Sequence, residues 1–357
     1  SSSIGKVLQS RGYRVTNIKA DMYVNIDAGT IRPAEHGEVF VGEDGIEADQ
    51  DLGNYERFTG QTCTRDNYIT TGQIYAEVIR KERVFEYNGE DVEAIPHVTD
   101  EIIRRLILAG KENKAEIVLV ELGGTAGEYQ NGIFFEAARI LKLKHPNDVI
   151  HVHVSYLPVI KSLGELKSKP TQTSVHILNS MGIQPDFLVT RSEQPIDQRR
   201  RERLALFCNL YDWQIIDNSD AASVYEVPLN LEKQDCSQKI LKRLGYKKFK
   251  YKDLNNWKDL VRKINFAKKE TKIAIVGKYF RTGDFSLADS YICVVEALKH
   301  GGWENGVVPQ LFWIDSEAIE REGTDQLRKY DGIVVPQGWG SRGTEGKIQT
   351  ASFAREN

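Results

Sequence analysis

Apolar positions along this chain follow two rhythms. Short continuous runs at 116–120 (Glu116-Ile117-Val118-Leu119-Val120), 149–154 and 187–190 are too brief for helices and predict buried strands. Between them, Ile102, Ile103, Leu106 and Ile107 recur at helical spacing within 99–108, as do the apolar positions of 174–181. A β-type run at 14–19 follows a helical stretch at 7–11. Fully apolar strands alternating with helices predict a parallel sheet buried on both faces. No segment of 20–50 residues repeats, which excludes solenoids and propellers.

The pattern changes near residue 245. Lys247, Lys248, Lys250, Lys252, Lys268 and Lys269 crowd a stretch poor in apolar residues, so a linker with its own short helix is expected at 246–270. Those lysines read as a solvated face or as an interdomain or subunit contact. Strand 273–276, helix 291–300, strand 310–314, helix 316–321 and strand 333–336 then begin a second doubly wound α/β domain. Three strands do not complete such a sheet, so the chain is expected to stop inside that domain. The predicted organisation is 1–245, a linker at 246–270, and 271–357.

Composition narrows the class. The 357 residues suit about two domains. Lys and Arg number 48 against 51 Asp and Glu, a net charge of −3, which argues against a broad basic surface for nucleic acid. No run nears the ~18–20 apolar residues of a membrane span, and residues 1–6 lack the regions of a secretory signal. Cys63, Cys208, Cys236 and Cys293 show no CxxC spacing and read as reduced, space-filling thiols. A soluble, cytoplasmic protein is expected.

Four clusters could carry chemistry. Lys19 ends a predicted strand, where open α/β sheets bind ligands, and could neutralise charge on a moving phosphoryl group; taken alone it points as readily into solvent. Six carboxylates between Glu43 and Glu56 are dense enough for a divalent cation, although acidic loops are usually just solvated. Glu121 closes a second strand ahead of Gly123 and Gly124, and with Asp51 would offer Mg²⁺ two oxygens. Lys167 and Lys169 fall two apart in an expected extended stretch before Pro170, with Thr171 and Gln172 beside them to hydrogen-bond a base or phosphate. Around Gly338, a glycine turn after a strand could expose backbone N–H groups as an oxyanion hole, or could be a plain strand-to-helix turn. Ser3-Ile4-Gly5-Lys6 only superficially resembles a phosphate-binding loop, because no glycine or strand precedes it; Lys6 reads as a helical lysine.

Taken together, 19–30, 35–41 (with His-Gly-Glu-Val-Phe at 36–40), 49–58, 120–127, 164–175, 205–209, 296–302 and 353–357 resemble the CTP synthase family, in that family's order and over nearly the whole chain. The resemblance implies a P-loop-type, dethiobiotin-synthetase-like amidoligase domain joined to a flavodoxin-like class I glutamine amidotransferase domain, here truncated. It implies that ATP with Mg²⁺ phosphorylates UTP at O4 and that ammonia from glutamine displaces the phosphate to give CTP. By match to the family's motifs, Lys19 is the catalytic lysine and His36 the gate on the ammonia passage. Asp51 and Glu121 match the Mg²⁺ ligands. Asp51, Arg191, Ser219, Asp220 and Ala221 match the ATP site, and Gly338 the glutamine contact. The UTP/CTP run is matched by Glu128, Tyr129, Gln130, Lys167, Ser168, Lys169, Pro170, Thr171, Gln172 and Arg203. The resemblance further implies a homotetramer with UTP bound where subunits meet, CTP as product inhibitor, GTP as an allosteric activator, and filaments.

The sequence also departs from the family. Its P-loop is expected upstream of Ser1 and its nucleophilic cysteine beyond Asn357; Cys293, on a predicted helix, is no substitute. Glu128-Tyr129-Gln130 replaces Asp-Ile-Glu, Arg203 replaces a lysine, and Gln337 and Trp339 replace Gly and Phe. Ile292 stands where a basic residue linked to GTP is common. A catalytically silent, nucleotide-sensing polymer and a cobyrinate-type amidoligase are the competing readings.

Overall fold

The computed structural model describes residues 1–160, 164–247, 249, 253–279, 281–282, 285–286 and 288–357. Lys248, Lys250, Tyr251 and Lys252 of the lysine-rich stretch lie outside the described residues. The chain forms two compact units. The first comprises Ser1–Asp27, Gly42–Ile46 and Asn54–Leu254; the second comprises Ala28–Val41, Glu47–Gly53 and Asn255–Asn357.

The first unit runs α1 (Ser2–Gln9), β1 (Val15–Asp21), most of α3 (Asp51–Thr59), β4 (Tyr68–Thr70), α4 (Thr71–Arg83), α5 (Thr99–Glu112), β5 (Ile117–Leu122) and α6 (Gly132–Lys144). It continues through β6 (Val152–Tyr156), the short pair β7 (Val159–Ile160) and β8 (Glu165–Leu166), α7 (Lys169–Ser180), β9 (Phe187–Ser192), α8 (Gln198–Phe207), β10 (Ile215–Ser219), α9 (Val227–Glu232) and α10 (Cys236–Arg243). Its parallel strands form two sheets of three, ordered β4-β1-β5 and β10-β9-β6. Leu8, Val15, Ile117, Phe187, Val189, Ile216 and Leu241 form one core that serves both sheets. A second core gathers Ile18, Ile69, Ile102, Leu106 and Phe134 beneath α5 and α6. Each such fully buried side chain stabilises the fold by about 1.5–3 kcal/mol.

The two-faced burial expected of the strands holds only for some. Every residue of β1 is buried, because β1 is paired on both sides. β5 and β6 are edge strands, and Val120, Val154 and Tyr156 stay exposed. An apolar run reports strand character but not which position the strand takes in the sheet.

A second difference concerns the paired lysines. α7 begins at Lys169, with Pro170 in its first turn, where the missing N–H costs nothing, and Ser168 is already in the helical region of backbone space. Lys167 and Lys169 therefore do not share an extended stretch. A proline can open a helix as well as prevent one, and here it opens one.

The second unit holds α2 (Pro33–His36), the hairpin β2 (Val39–Val41) with β3 (Glu47–Asp49), the start of α3, and α11 (Asn255–Phe266). Then come β11 (Lys269–Gly277), β12 (Arg281–Thr282), β13 (Phe285–Ser286), α12 (Ile292–Glu304), β14 (Val307–Asp315), α13 (Ser316–Glu322), β15 (Gly332–Val334) and α14 (Thr344–Glu356). The parallel order β14-β11-β15 matches the expected second doubly wound sheet, with Ala274, Val276, Ile319 and Leu327 on one face and Ile275, Tyr291 and Val295 on the other. Among the described residues no helix is long and apolar enough to cross a membrane. All four cysteines are free, three of them buried and Cys293 half-buried on α12.

Candidate functional site

Lys19 and Glu121 occupy matching positions on β1 and β5. Lys19 is buried and does not point freely into solvent; its Nζ lies 3.6 Å from Glu121 Oε1 and 3.9 Å from Asp21 Oδ1. The Tyr55 hydroxyl donates to Glu121 Oε2 at 2.8 Å, and the hydroxyls of Tyr23 and Tyr68 each donate to Asp21 Oδ2 at 3.1 Å. An ammonium is thereby set between two carboxylates whose orientation is fixed by phenols, at the carboxyl ends of parallel strands where α/β sheets bind ligands. Burial opposes the charged form of Glu121, while the Lys19 ammonium and the hydrogen bond from Tyr55 favour it. Asp21 was not singled out in the sequence. The Lys-x-Asp spacing, which sends both side chains to one face of a strand, is the signal that could have found it.

The acidic stretch does not act as one cation cluster. Asp44 pairs with Arg65, and Glu56 accepts the backbone N–H of Cys63, both in the first unit. In the second unit Asp49 Oδ2 lies 2.8 Å from His36 Nε2, while its Oδ1 accepts the N–H of Asp51 at 2.7 Å. Asp49 thus fixes the His36 ring and opens α3, with Asp51 in its first turn. The hairpin β2–β3 brings His36 and Asp49 together, a pairing thirteen positions apart that no local pattern signals. Asp51 belongs to the second unit and Glu121 to the first.

The nucleotide run divides by burial. Lys169 and Arg203 converge on the ring of Phe207, with Lys169 Nζ 5.3 Å and the Arg203 guanidinium carbon 5.7 Å from its centroid. Lys167 pairs with Glu165 at 2.8 Å. Thr171 and Gln172, expected to face a ligand, are buried in α7: Thr171 Oγ1 accepts from the Ser155 hydroxyl and donates to the Tyr156 carbonyl, and Gln172 donates to Ser168 Oγ. Their side chains are turned inward by the early start of the helix. Gln130 donates to Glu128, and Tyr129 is fully exposed. Arg191 lies 3.6 Å from Asp220 on the β9–β10 side, with Ser219 ending β10 and Ala221 following.

Gly338 sits in a turn held from below. Lys278, buried, donates to the carbonyls of Gly340 and Arg342, and Lys347 donates to that of Pro336. A Cβ on Gly338 would lie 2.5 Å from Lys278 Cε and 2.8 Å from Lys347 Nζ. The Tyr291 hydroxyl donates to the Gln337 carbonyl, and Tyr279 Oη accepts the Trp339 N–H at 2.7 Å. One of the turn's N–H groups is therefore already bonded within the chain. Burial, chiefly, pushes the Tyr291 phenol up to about 12.

Two family models match the chain. Residues 1–246 match the family model described as CTP synthase N-terminus, and residues 286–357 match that described as Glutamine amidotransferase class-I. The chain is 46% identical over 358 residues to a CTP synthase of Thermococcus gammatolerans, covering 100% of this chain and 66% of that one. It is 47% identical to one of Pyrococcus abyssi, with 65% of the relative covered, and 46% identical over 361 residues to one of Methanopyrus kandleri. The chain thus spans about two thirds of the length of these curated relatives.

Proposed function

The chain belongs to the CTP synthase family, and from that premise we propose that the whole protein makes CTP from UTP, using ATP and ammonia drawn from glutamine. The reading that supports this best is the Lys19 ammonium set between Asp21 and Glu121 at the ends of β1 and β5. Phosphoryl transfer asks a protein mainly for positioning and for charge neutralisation. Lys19 supplies the positive charge as the γ-phosphoryl group of ATP passes to O4 of UTP, creating the leaving group that ammonia displaces.

Asp51 and Glu121 are the proposed holders of Mg²⁺. They offer hard carboxylate oxygens of the kind this ion prefers, and Glu121 keeps lone pairs beyond the bond from Tyr55. When bound, the ion would offset triphosphate charge. Arg191, Ser219, Asp220 and Ala221 are assigned to ATP. Lys167, Ser168, Lys169, Pro170 and Arg203, with Glu128, Tyr129 and Gln130, are assigned to UTP and to CTP as inhibitor. Thr171 and Gln172 shape that run from inside α7 through their bonds to Ser155 and Ser168. His36 gates ammonia, and Gly338 contacts glutamine. The functional division follows as 1–245 for amination, 246–270 as linker and 271–357 for glutamine, in a cytoplasmic homotetramer.

The test uses the full-length protein with UTP, ATP, Mg²⁺ and ammonium, read as CTP by chromatography. CTP that forms only with ATP and Mg²⁺ supports the proposal; none from folded protein overturns it. Repeating the assay with glutamine, with and without GTP, reads the second activity and its activation. Light scattering at micromolar protein reads the tetramer.

A further inference from the structure

Glu38 is buried in the second unit and bonded to two separate pieces of it. Its Oε2 accepts the backbone N–H of Cys293 at 2.6 Å, and its Oε1 lies 3.3 Å from Gln337 Nε2. Cys293 is the second residue of α12, a 13-residue helix with no acidic residue in its first turn and no side-chain bond from its own N-cap. Glu38 brings from a distant segment the negative charge that such a helix start favours.

The segment around Glu38 is pinned to the same place. The Glu38 N–H donates to the Asp289 carbonyl at 3.0 Å, Ser290 Oγ donates to the Pro33 carbonyl at 3.2 Å, and Gln50 Nε2 donates to Asp289 Oδ2 at 3.1 Å. His36 is two residues before Glu38, and its partner Asp49 immediately precedes Gln50. Both arms that hold the His36–Asp49 pair are thus fixed to the turn that starts α12. Gln337 is next to Gly338, and its carbonyl is held by Tyr291, the residue that caps α12.

A buried carboxylate is a costly way to fill space unless its bonds are used. We propose that Glu38 is a positioning residue that couples the glutamine turn to His36, so that a shift of the Gln337–Gly338 backbone on glutamine binding is passed through Glu38 to the imidazole. The inference rests on the reading of Gly338 as glutamine contact and His36 as ammonia gate, and adds the link between them. Gln337, where the family carries glycine, gives this chain a side-chain bond in that link.

The test compares full-length wild type, E38A and Q337G in two assays: CTP from ammonium, and glutamate released per CTP formed from glutamine. With coupling lost, ammonium-supported CTP formation stays within about twofold of wild type, while glutamate per CTP rises about fivefold in E38A and about twofold in Q337G. A ratio unchanged in both variants overturns the inference. A ratio raised in E38A alone also overturns it, leaving Glu38 as a helix cap only. If E38A lacks the wild-type circular dichroism, the ratio in Q337G decides. Absence of CTP from ammonium in the wild type would instead defeat the parent reading, and this one with it.

Discussion

Lys19 and Glu121 are register partners on adjacent parallel strands, with Nζ 3.6 Å from Oε1. Partners in a parallel ladder point to the same side of the sheet, so the pairing of β1 with β5 alone is enough to bring this ammonium and carboxylate together. Replacing Lys19 with Met removes the charge and keeps most of the volume. K19M in the full-length protein is expected to lose CTP formation by about 10²–10³-fold, with circular dichroism unchanged. A K19M rate within tenfold of wild type would remove Lys19 from the chemistry.

Gly72, the second residue of α4, lies against the loop that follows β1. A Cβ there would lie 2.1 Å from the Val24 carbonyl oxygen and 2.8 Å from that of Asn25, both backbone atoms with little freedom to yield. G72A is expected to cost about 1–3 kcal/mol in urea unfolding. It should also lower CTP formation, because residues 23–26 leave directly from the strand that carries Lys19 and Asp21. Wild-type stability in G72A would show that the loop moves aside freely.

Glu101 on α5 is buried between Arg104, which binds it through two nitrogens at 2.6 and 2.8 Å, and Lys81 at 2.7 Å. Burial opposes its ionisation, but these bonds prevail and hold the carboxyl below its ordinary value. A pKa depressed on folding contributes stability above the unfolded value of about 4.3, and that stability fades as pH falls through the folded value. E101Q should therefore be less stable than wild type by about 2 kcal/mol at neutral pH, with the gap narrowing as the medium is acidified below the unfolded value. A gap independent of pH in denaturant titrations would contradict this.

Gly338 leaves no room for a side chain beside Lys278 and Lys347, which hold the turn through three carbonyls. G338A must displace the end of at least one lysine. Glutamine-supported CTP formation is expected to fall by more than about tenfold, while ammonium-supported formation is retained, if Gly338 is the glutamine contact proposed above. Equal loss in both assays would place Gly338 in the stability of the unit instead.

What the sequence determined alone was local. Continuous apolar runs marked β5, β9 and β11, helical spacing marked α5, and the order of motifs marked the family, because backbone geometry and side-chain period are written in neighbouring residues. The edge position of β5 and β6 was not legible, since exposure depends on which strand pairs with which. Nor was the inward turn of Thr171 and Gln172, which depends on where the helix begins. Glu121 beside Lys19, Asp49 on His36 and Glu38 on Cys293 were decided only by tertiary structure. Each of these bonds joins groups whose meeting is set by a strand register, a hairpin or a helix start, and a carboxylate carries no mark in sequence of the partner that the fold will bring to it.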